Sequence, residues 1–81
     1  MKKLEGIYTI SNGITIINPS YYIQSVILNL EIENIIVEVI FRDDSIMLQY
    51  QENFIGFTYS QEININNVIN WVDVKIEEYK V

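Results

Sequence analysis

Carboxylates are the side chains of this 81-residue chain that could do chemistry. A pair of them can hydrolyse a glycosidic bond, and hard cations such as Ca²⁺ or Mg²⁺ prefer oxygen ligands like those of Asp43-Asp44-Ser45. Asp and Ser are, however, ordinary turn residues, and no loop with EF-hand spacing surrounds these three. A domain this small also leaves little space for a sugar cleft. We therefore expect neither a metal site nor a glycosidase site.

The other common catalytic devices are missing from the sequence. There is no cysteine and no histidine, so no Cys-His or Ser-His pair can form, and thiolate zinc sites and disulfides are excluded. The three glycines, Gly6, Gly13 and Gly56, are too far apart for a phosphate-binding loop. The sequence thus predicts a non-enzymatic protein with no catalytic residues, no cofactor and no bound metal.

The charge is strongly acidic, with 11 Asp and Glu against 5 Lys and Arg and a net charge of −6. Direct binding to nucleic acid needs a Lys/Arg footprint, which five scattered cations do not provide. The acids are concentrated between residues 31 and 62, where Arg42 is the single basic residue. This distribution suits electrostatic steering towards a basic protein partner, although a merely solvated face is the simpler alternative.

No segment of the sequence reads as a targeting signal or a membrane span. Met1-Lys2-Lys3 is followed by Glu5 and not by an apolar signal region, and no apolar run approaches the ~20 residues that a span needs. We expect a cytoplasmic protein that makes no membrane contact. The abundance of Ile, Asn, Lys and Tyr fits an AT-rich coding sequence, as in a bacterium or a phage, and a phage product would act in the host cytoplasm.

The composition favours β structure in a single domain, residues 1–81. Alanine, the best helix former, is absent, and Ile and Val supply about 30% of the residues. We predict an all-β fold, a small antiparallel meander that forms a barrel or sandwich. The predicted strands are residues 4–10, 14–18, 25–32, 35–42, 45–51 and 54–60.

Polar pairs predict the turns between these strands. Asn12-Gly13 is a typical type I′ pair, which would place Ile10 opposite Thr15. Turns at Glu33-Asn34, Asp43-Asp44 and Glu52-Asn53 put the apolar residues of four strands on one face, so the pattern predicts its own register. The predicted inward face is Val26, Leu28, Leu30, Ile32, Ile35, Val37, Val39, Phe41, Ile46, Leu48, Tyr50, Ile55, Phe57 and Tyr59.

The second face of the meander mixes apolar and polar residues. A fully solvated face would not need so many large apolar side chains, so either the N-terminal hairpin or the C-terminal segment covers it, or a partner does. Tyr and Trp are enriched at interfaces, which adds the tyrosines after the Pro19 turn. The candidate partner-binding residues are Tyr21, Tyr22, Ile27, Glu31, Glu33, Ile36, Glu38, Ile40, Met47, Glu52 and Phe54.

The C-terminal segment fits two structures. Alternation of Val72, Val74 and Ile76 with polar residues indicates a strand, and the β-branched content favours it. A helix over about 67–79 is the alternative, capped by Asn66 or Asn67 and covering the sheet. Its buried face would hold Val68, Val72, Ile76 and Tyr79.

These observations lead to two functional hypotheses. The first is an acidic protein-binding module, such as a phage or mobile-element inhibitor of a basic nucleic-acid-handling host protein. The second is a self-assembling structural β subunit of a virion or a surface. Uncovered strand edges pair readily with another chain, so we also expect a homo-oligomer, a dimer formed by edge pairing. A barrel for a small ligand is disfavoured, because the predicted interior is filled with large apolar side chains.

Overall fold

The computed structural model describes residues 1–58 and 64–81, and in this part of the chain six strands precede one helix. The predicted all-β antiparallel class is confirmed, and the C-terminal segment takes the helical alternative in place of the favoured strand. The elements are β1 Lys2–Lys3, β2 Ile7–Thr9, β3 Thr15–Ile17, β4 Ser20–Asn29, β5 Asn34–Asp43, β6 Leu48–Thr58 and α1 Ile65–Glu77.

Four of these strands form an antiparallel sheet in the order β1-β4-β5-β6. The predicted strands 45–51 and 54–60 are in fact parts of one strand, β6, and residues 59 and 60 lie outside the described residues. The predicted turn at Glu52-Asn53 is therefore wrong. Glu52 lies opposite Val39 in the ladder, and its carboxylate accepts hydrogen bonds from Ser11 and Tyr79, so the strand continues through it.

The other two predicted turns of the meander are displaced along the chain. The connections are residues 30–33 and 44–47, and the pairings next to them differ by four residues from the prediction: Leu28 faces Ile35, and Phe41 faces Tyr50. Beyond the register shift between Ile23 and Ser25, the β4–β5 pairings differ by five. Asn29 Oδ1 accepts hydrogen bonds from the backbone N–H groups of the first connection, which starts it early. A shift by an even number keeps each β5 side chain on its predicted face.

The N-terminal hairpin, β2 with β3, is out of register with the prediction by one residue. Tyr8 pairs with Ile16 and not with Ile17, because the loop has three residues, Ser11, Asn12 and Gly13. Gly13 has a φ of +86° and donates its N–H to the Ile10 carbonyl, as in a type I turn followed by a left-handed residue. The predicted two-residue type I′ turn is wrong, but Asn-Gly correctly marks the hairpin.

The helix α1 and the hairpin both pack against the same face of the four-stranded sheet. Asn64 caps the helix by accepting the Asn67 N–H at 2.9 Å, so the predicted caps Asn66 and Asn67 are two or three residues late. Val68, Val72 and Ile76 are buried, as the helical alternative predicts. The core cluster is Tyr8, Ile10, Ile16, Tyr21, Ile35, Val37, Val39, Phe41, Phe54, Phe57, Val68, Val72 and Ile76.

The four-residue displacement moves half of the predicted inward face out of the core. Tyr21 and Ile23 take the places opposite Phe41 and Val39, so β4 extends beyond the covered part of the sheet. The sheet is open at both edges over the described residues and does not close into a barrel. Predicted core residues that are exposed instead are Val26, Leu28, Leu30, Ile32, Ile46, Leu48 and Ile55; Tyr59 lies outside the described residues.

Candidate protein-binding surface

The sheet has one face without a covering layer. We call it the outer face and define it by Tyr22, Ile27, Ile36, Glu38, Ile40 and Ile55. Helix α1 and the hairpin both lie on the opposite face, so the predicted cover of this surface by the N-terminal hairpin or the C-terminal segment is wrong. No element of residues 1–58 and 64–81 packs over it.

An apolar row crosses the outer face near the 30–33 connection. Ile27 of β4 lies opposite Ile36 of β5, which lies opposite Ile55 of β6. Ile27 and Ile55 are exposed, and Ile36 is half-buried between them. Adjacent side chains on one face of a sheet stand about 5 Å apart, so the three form one continuous apolar surface.

A fixed carboxylate lies next to this row. Glu38 Oε1 accepts a hydrogen bond from Ser25 Oγ at 2.5 Å, and Glu38 Oε2 accepts one from Gln51 Nε2 at 2.8 Å. Gln51 Nε2 also donates to Asn53 Oδ1, which holds the amide in place. No ion pair of Glu38 occurs among the described residues. The negative charge is thus held at a defined position without a compensating cation.

Beyond Glu38, the outer face becomes less exposed. Ile40 lies between Tyr22 of β4 and Gln51 of β6 and is buried, although it is not part of the core cluster. Tyr22 is half-buried. These two residues support the surface more than they offer contact area, and the accessible apolar part is the isoleucine row.

At the far end of the same face, the charges neutralise one another. Asp44 accepts hydrogen bonds from Ser20 Oγ, Arg42 Nε and Lys3 Nζ. These donors, Ser20 first, hold the pKa of the Asp44 carboxyl well below its usual range. Asp43 in turn accepts from the N–H and Oγ of Ser45, an ordinary turn arrangement. The Asp43-Asp44-Ser45 sequence is accounted for by these contacts.

Three predicted site residues lie on the buried face. Tyr21 packs in the core and donates its hydroxyl to Asp73 of α1; burial and then this hydrogen bond raise its pKa. Phe54 also lies in the core, because β6 does not turn at Glu52-Asn53. The structure therefore places Tyr21, Glu52 and Phe54 in the interior and not on the exposed surface that the prediction gave them.

Glu52 is the most informative of these corrections. Its carboxylate accepts hydrogen bonds from the Ser11 N–H at 3.1 Å, from Ser11 Oγ at 2.6 Å and from the Tyr79 hydroxyl at 2.9 Å. Burial and this carboxylate raise the pKa of Tyr79 to about 12. Glu52 thereby ties the hairpin and the C-terminal end to the sheet, which is a structural role.

The remaining predicted site residues lie in the two connections. Glu31 and Glu33 are exposed in residues 30–33, next to the isoleucine row, and Met47 is exposed in residues 44–47 at the other end. Glu33 and Met47 have φ angles of +52° and +58°. Of the acids that the sequence groups between residues 31 and 62, Glu62 lies outside the described residues.

Sequence reasoning missed Ile55, which completes the apolar row. The false turn at Glu52-Asn53 reversed the parity of the strand that followed, and so it assigned Ile55 to the core. The alternation of polar Gln49, Gln51 and Asn53 with Leu48, Tyr50 and Phe54 was a usable signal, because this pattern, interrupted by Glu52 alone, indicates a single strand.

The described residues contain no group of three or more Asp or Glu placed to hold a metal ion. Helix α1 is too short to cross a bilayer, and no other helix in the described part of the chain could do so. No protein-family model, curated protein or solved structure matches the chain. The surface geometry is therefore the basis for a functional proposal.

Proposed function

We propose that this chain is a non-enzymatic, acidic protein-binding module whose outer face binds a basic protein. One observation carries the proposal: an uncovered row of Ile27, Ile36 and Ile55 flanks the Glu38 carboxylate, which two side chains hold in place without a cation. Burial of the row supplies affinity, and the carboxylate selects a partner that brings a Lys or Arg next to an apolar patch.

The isoleucine row favours association because it exposes aliphatic surface to water. Burying apolar surface against a partner contributes about 25 cal/mol of favourable free energy for each Å² removed from water. Single surface isoleucines are common and need no explanation, whereas contiguous apolar patches rimmed by polar residues mark interaction surfaces. A rim of Gln51 and Asn53 beside the row fits the polar margin of such interfaces.

The charge of the whole chain also favours a basic partner. A net charge of −6 attracts basic partners over long range, and Glu31 and Glu33 border the outer face with the same sign. A nucleic-acid-handling protein is a suitable class of partner because its binding groove carries a Lys/Arg footprint. Under this proposal, a chain encoded by a phage or mobile element would block that groove in the host cytoplasm, without touching nucleic acid itself.

The test compares the wild type with two matched variants as immobilised baits in a bacterial lysate. Ile55→Lys changes the outer face, and Val74→Lys changes the solvent side of α1; the two residues are 56% and 63% exposed. The proposal expects a basic protein that binds the wild type and Val74→Lys, is lost with Ile55→Lys and elutes as salt rises. A partner retained by Ile55→Lys but lost with Val74→Lys would contradict it.

A second candidate function is a self-assembling structural β subunit. The observation in its favour is that β4 and β6 are both edge strands over most of their described length, so copies could join edge to edge into an open chain. Light scattering at increasing protein concentration separates the two functions. A mass that grows without limit supports the subunit, whereas a fixed mass of one or two chains counts against it.

A further inference from the structure

The exposed edge of β4 lacks the usual protection against pairing. β1 covers only Tyr21 and Ser20, so no described strand lies beside residues 22–29. Edge strands are normally blunted by charges, and β4 has none between Ser20 and Asn29. A bulge at Gln24 interrupts the strand, but five regular residues follow it, of which Val26, Ile27 and Leu28 are exposed. The backbone N–H and C=O groups along this edge can therefore pair with another strand.

An apolar groove lies beside that edge. Met1, Tyr22 and Ile23 line it together with Ile65 and Ile69 of α1, and its volume is about 410 Å³. Both helix residues are exposed, so the groove continues onto the helix surface. A strand added to β4 would place every second side chain on the groove side of the sheet.

The direction of β1 shows how a second copy would fit. β1 runs antiparallel to β4, with Lys2 opposite Tyr21 and Lys3 opposite Ser20. A second β4 placed antiparallel on residues 22–29 would run in the same direction and end where β1 begins. Its 30–33 connection, with Glu31 and Glu33, would then lie next to Lys2 of the first copy. The arrangement is reciprocal about a two-fold axis near Val26.

We propose that this chain forms a closed dimer in which two β4 edges pair antiparallel and the acidic 30–33 connection of each copy meets Lys2 of the other. At about 3.3 Å per residue of strand, the two acidic connections then lie about 30 Å apart. Salt screens their mutual repulsion at that distance, because the Debye length is about 8 Å at physiological ionic strength. The groove takes up apolar side chains of the partner strand. The outer faces of both copies stay open, so the dimer does not depend on the proposed basic partner.

Analytical ultracentrifugation over a concentration series tests the dimer. The wild type is expected at twice the 9.6 kDa chain mass. Leu28→Lys should raise the dimer dissociation constant about tenfold or more, because it puts a charge into the paired edge. Ile55→Lys is the matched control, because Ile55 is 56% and Leu28 59% exposed. It should leave the dimer unchanged, since Ile55 lies on β6, away from the paired edge. A monomeric wild type, or loss of the dimer with Ile55→Lys alone, overturns the proposal.

A second pair of variants tests the geometry without removing apolar contacts. Because the chain has no cysteine, Val26→Cys introduces a single thiol next to the proposed axis, and Ile55→Cys introduces one far from it. Mild oxidation should convert Val26→Cys into a covalent dimer and leave Ile55→Cys monomeric on a denaturing gel. Equal cross-linking of the two variants, or masses above the dimer, would contradict a closed β4 pair. Capture of the basic partner by Leu28→Lys, together with its loss by Ile55→Lys, keeps the two proposals separate.

Discussion

The two faces of β5 come from one strand and have different roles. Ile35, Val37 and Val39 have no exposed surface, and they bury against α1 and the hairpin. Between them, Ile36 and Glu38 point to the outer face, where no described element covers them. The comparison shows that hydrophobicity alone does not decide which face becomes the core. The decisive factor is which face the rest of the chain packs against.

The sharpest test of this comparison substitutes the same residue type on each face. Ile35→Ala should lower the free energy of unfolding by about 2–5 kcal/mol, because it leaves a cavity in the core. Ile55→Ala should lower it by less than about 1 kcal/mol, because that side chain already contacts water. Urea unfolding followed by circular dichroism measures both. Equal losses would mean that the outer face is also packed.

The next largest contrast in unfolding free energy is between the buried Glu52 and the half-buried Glu38. Glu52→Ala should cost about 2–4 kcal/mol, because Ser11 and Tyr79 lose the buried carboxylate that accepts their hydrogen bonds. Glu38→Ala should cost less than about 1 kcal/mol, since water can replace its carboxylate for Ser25 and Gln51. Glu52→Gln serves as the control of similar size. The account fails here if Glu38→Ala proves the more destabilising.

The register errors explain how much of this was readable in the sequence. Four β5 residues, Ile35 to Phe41 at every second position, were correctly assigned to the core because alternation fixes a face even when the pairing slips by an even number. The pairing itself was wrong because the turns are set by side-chain contacts, such as Asn29 with the following N–H groups, that polarity does not reveal.

Glu52 shows why the candidate site was only partly predicted. A charged residue next to Asn normally marks a turn, and nothing local signals that Ser11 and Tyr79, 41 and 27 residues away, supply its hydrogen bonds. That one error reversed the faces of Phe54 and Ile55. Ile27, Ile36 and Glu38 were assigned correctly to the second face because no such long-range contact overrides their alternation.

Alkaline pH should lower the free energy of unfolding through Tyr79, which packs on the buried face of the sheet. The pKa of Tyr79 is raised to about 12, so the folded state binds its proton more tightly than the unfolded state does. This contribution is present at neutral pH and is lost as the pH rises from about 10 to about 12. Ultraviolet difference titration follows the tyrosinate directly, and Tyr79→Phe should remove this part of the pH dependence. A Tyr79 that ionises near pH 10, the ordinary value for tyrosine, would contradict the packing described.

The smallest expected effect concerns the charged end of the outer face. The depressed pKa of Asp44 means that its stabilising contribution is present above about pH 4, the unfolded value, and is lost as the pH falls further. The stability difference between the wild type and Asp44→Asn should therefore shrink in acid. Unfolding curves at neutral and strongly acidic pH measure it. A difference that stays constant would show that Ser20, Arg42 and Lys3 do not hold the carboxylate in solution.

The most direct test of the proposed role of the outer face is a nuclear magnetic resonance titration. The isotope-labelled wild type is titrated with the basic protein that the capture experiment identifies. The account predicts that signals of Ile36, Glu38 and Ile55 shift or broaden, while Val74 on the solvent side of α1 is unchanged. Perturbation confined to α1 or to the β2–β3 hairpin, with the outer face unaffected, would contradict the account.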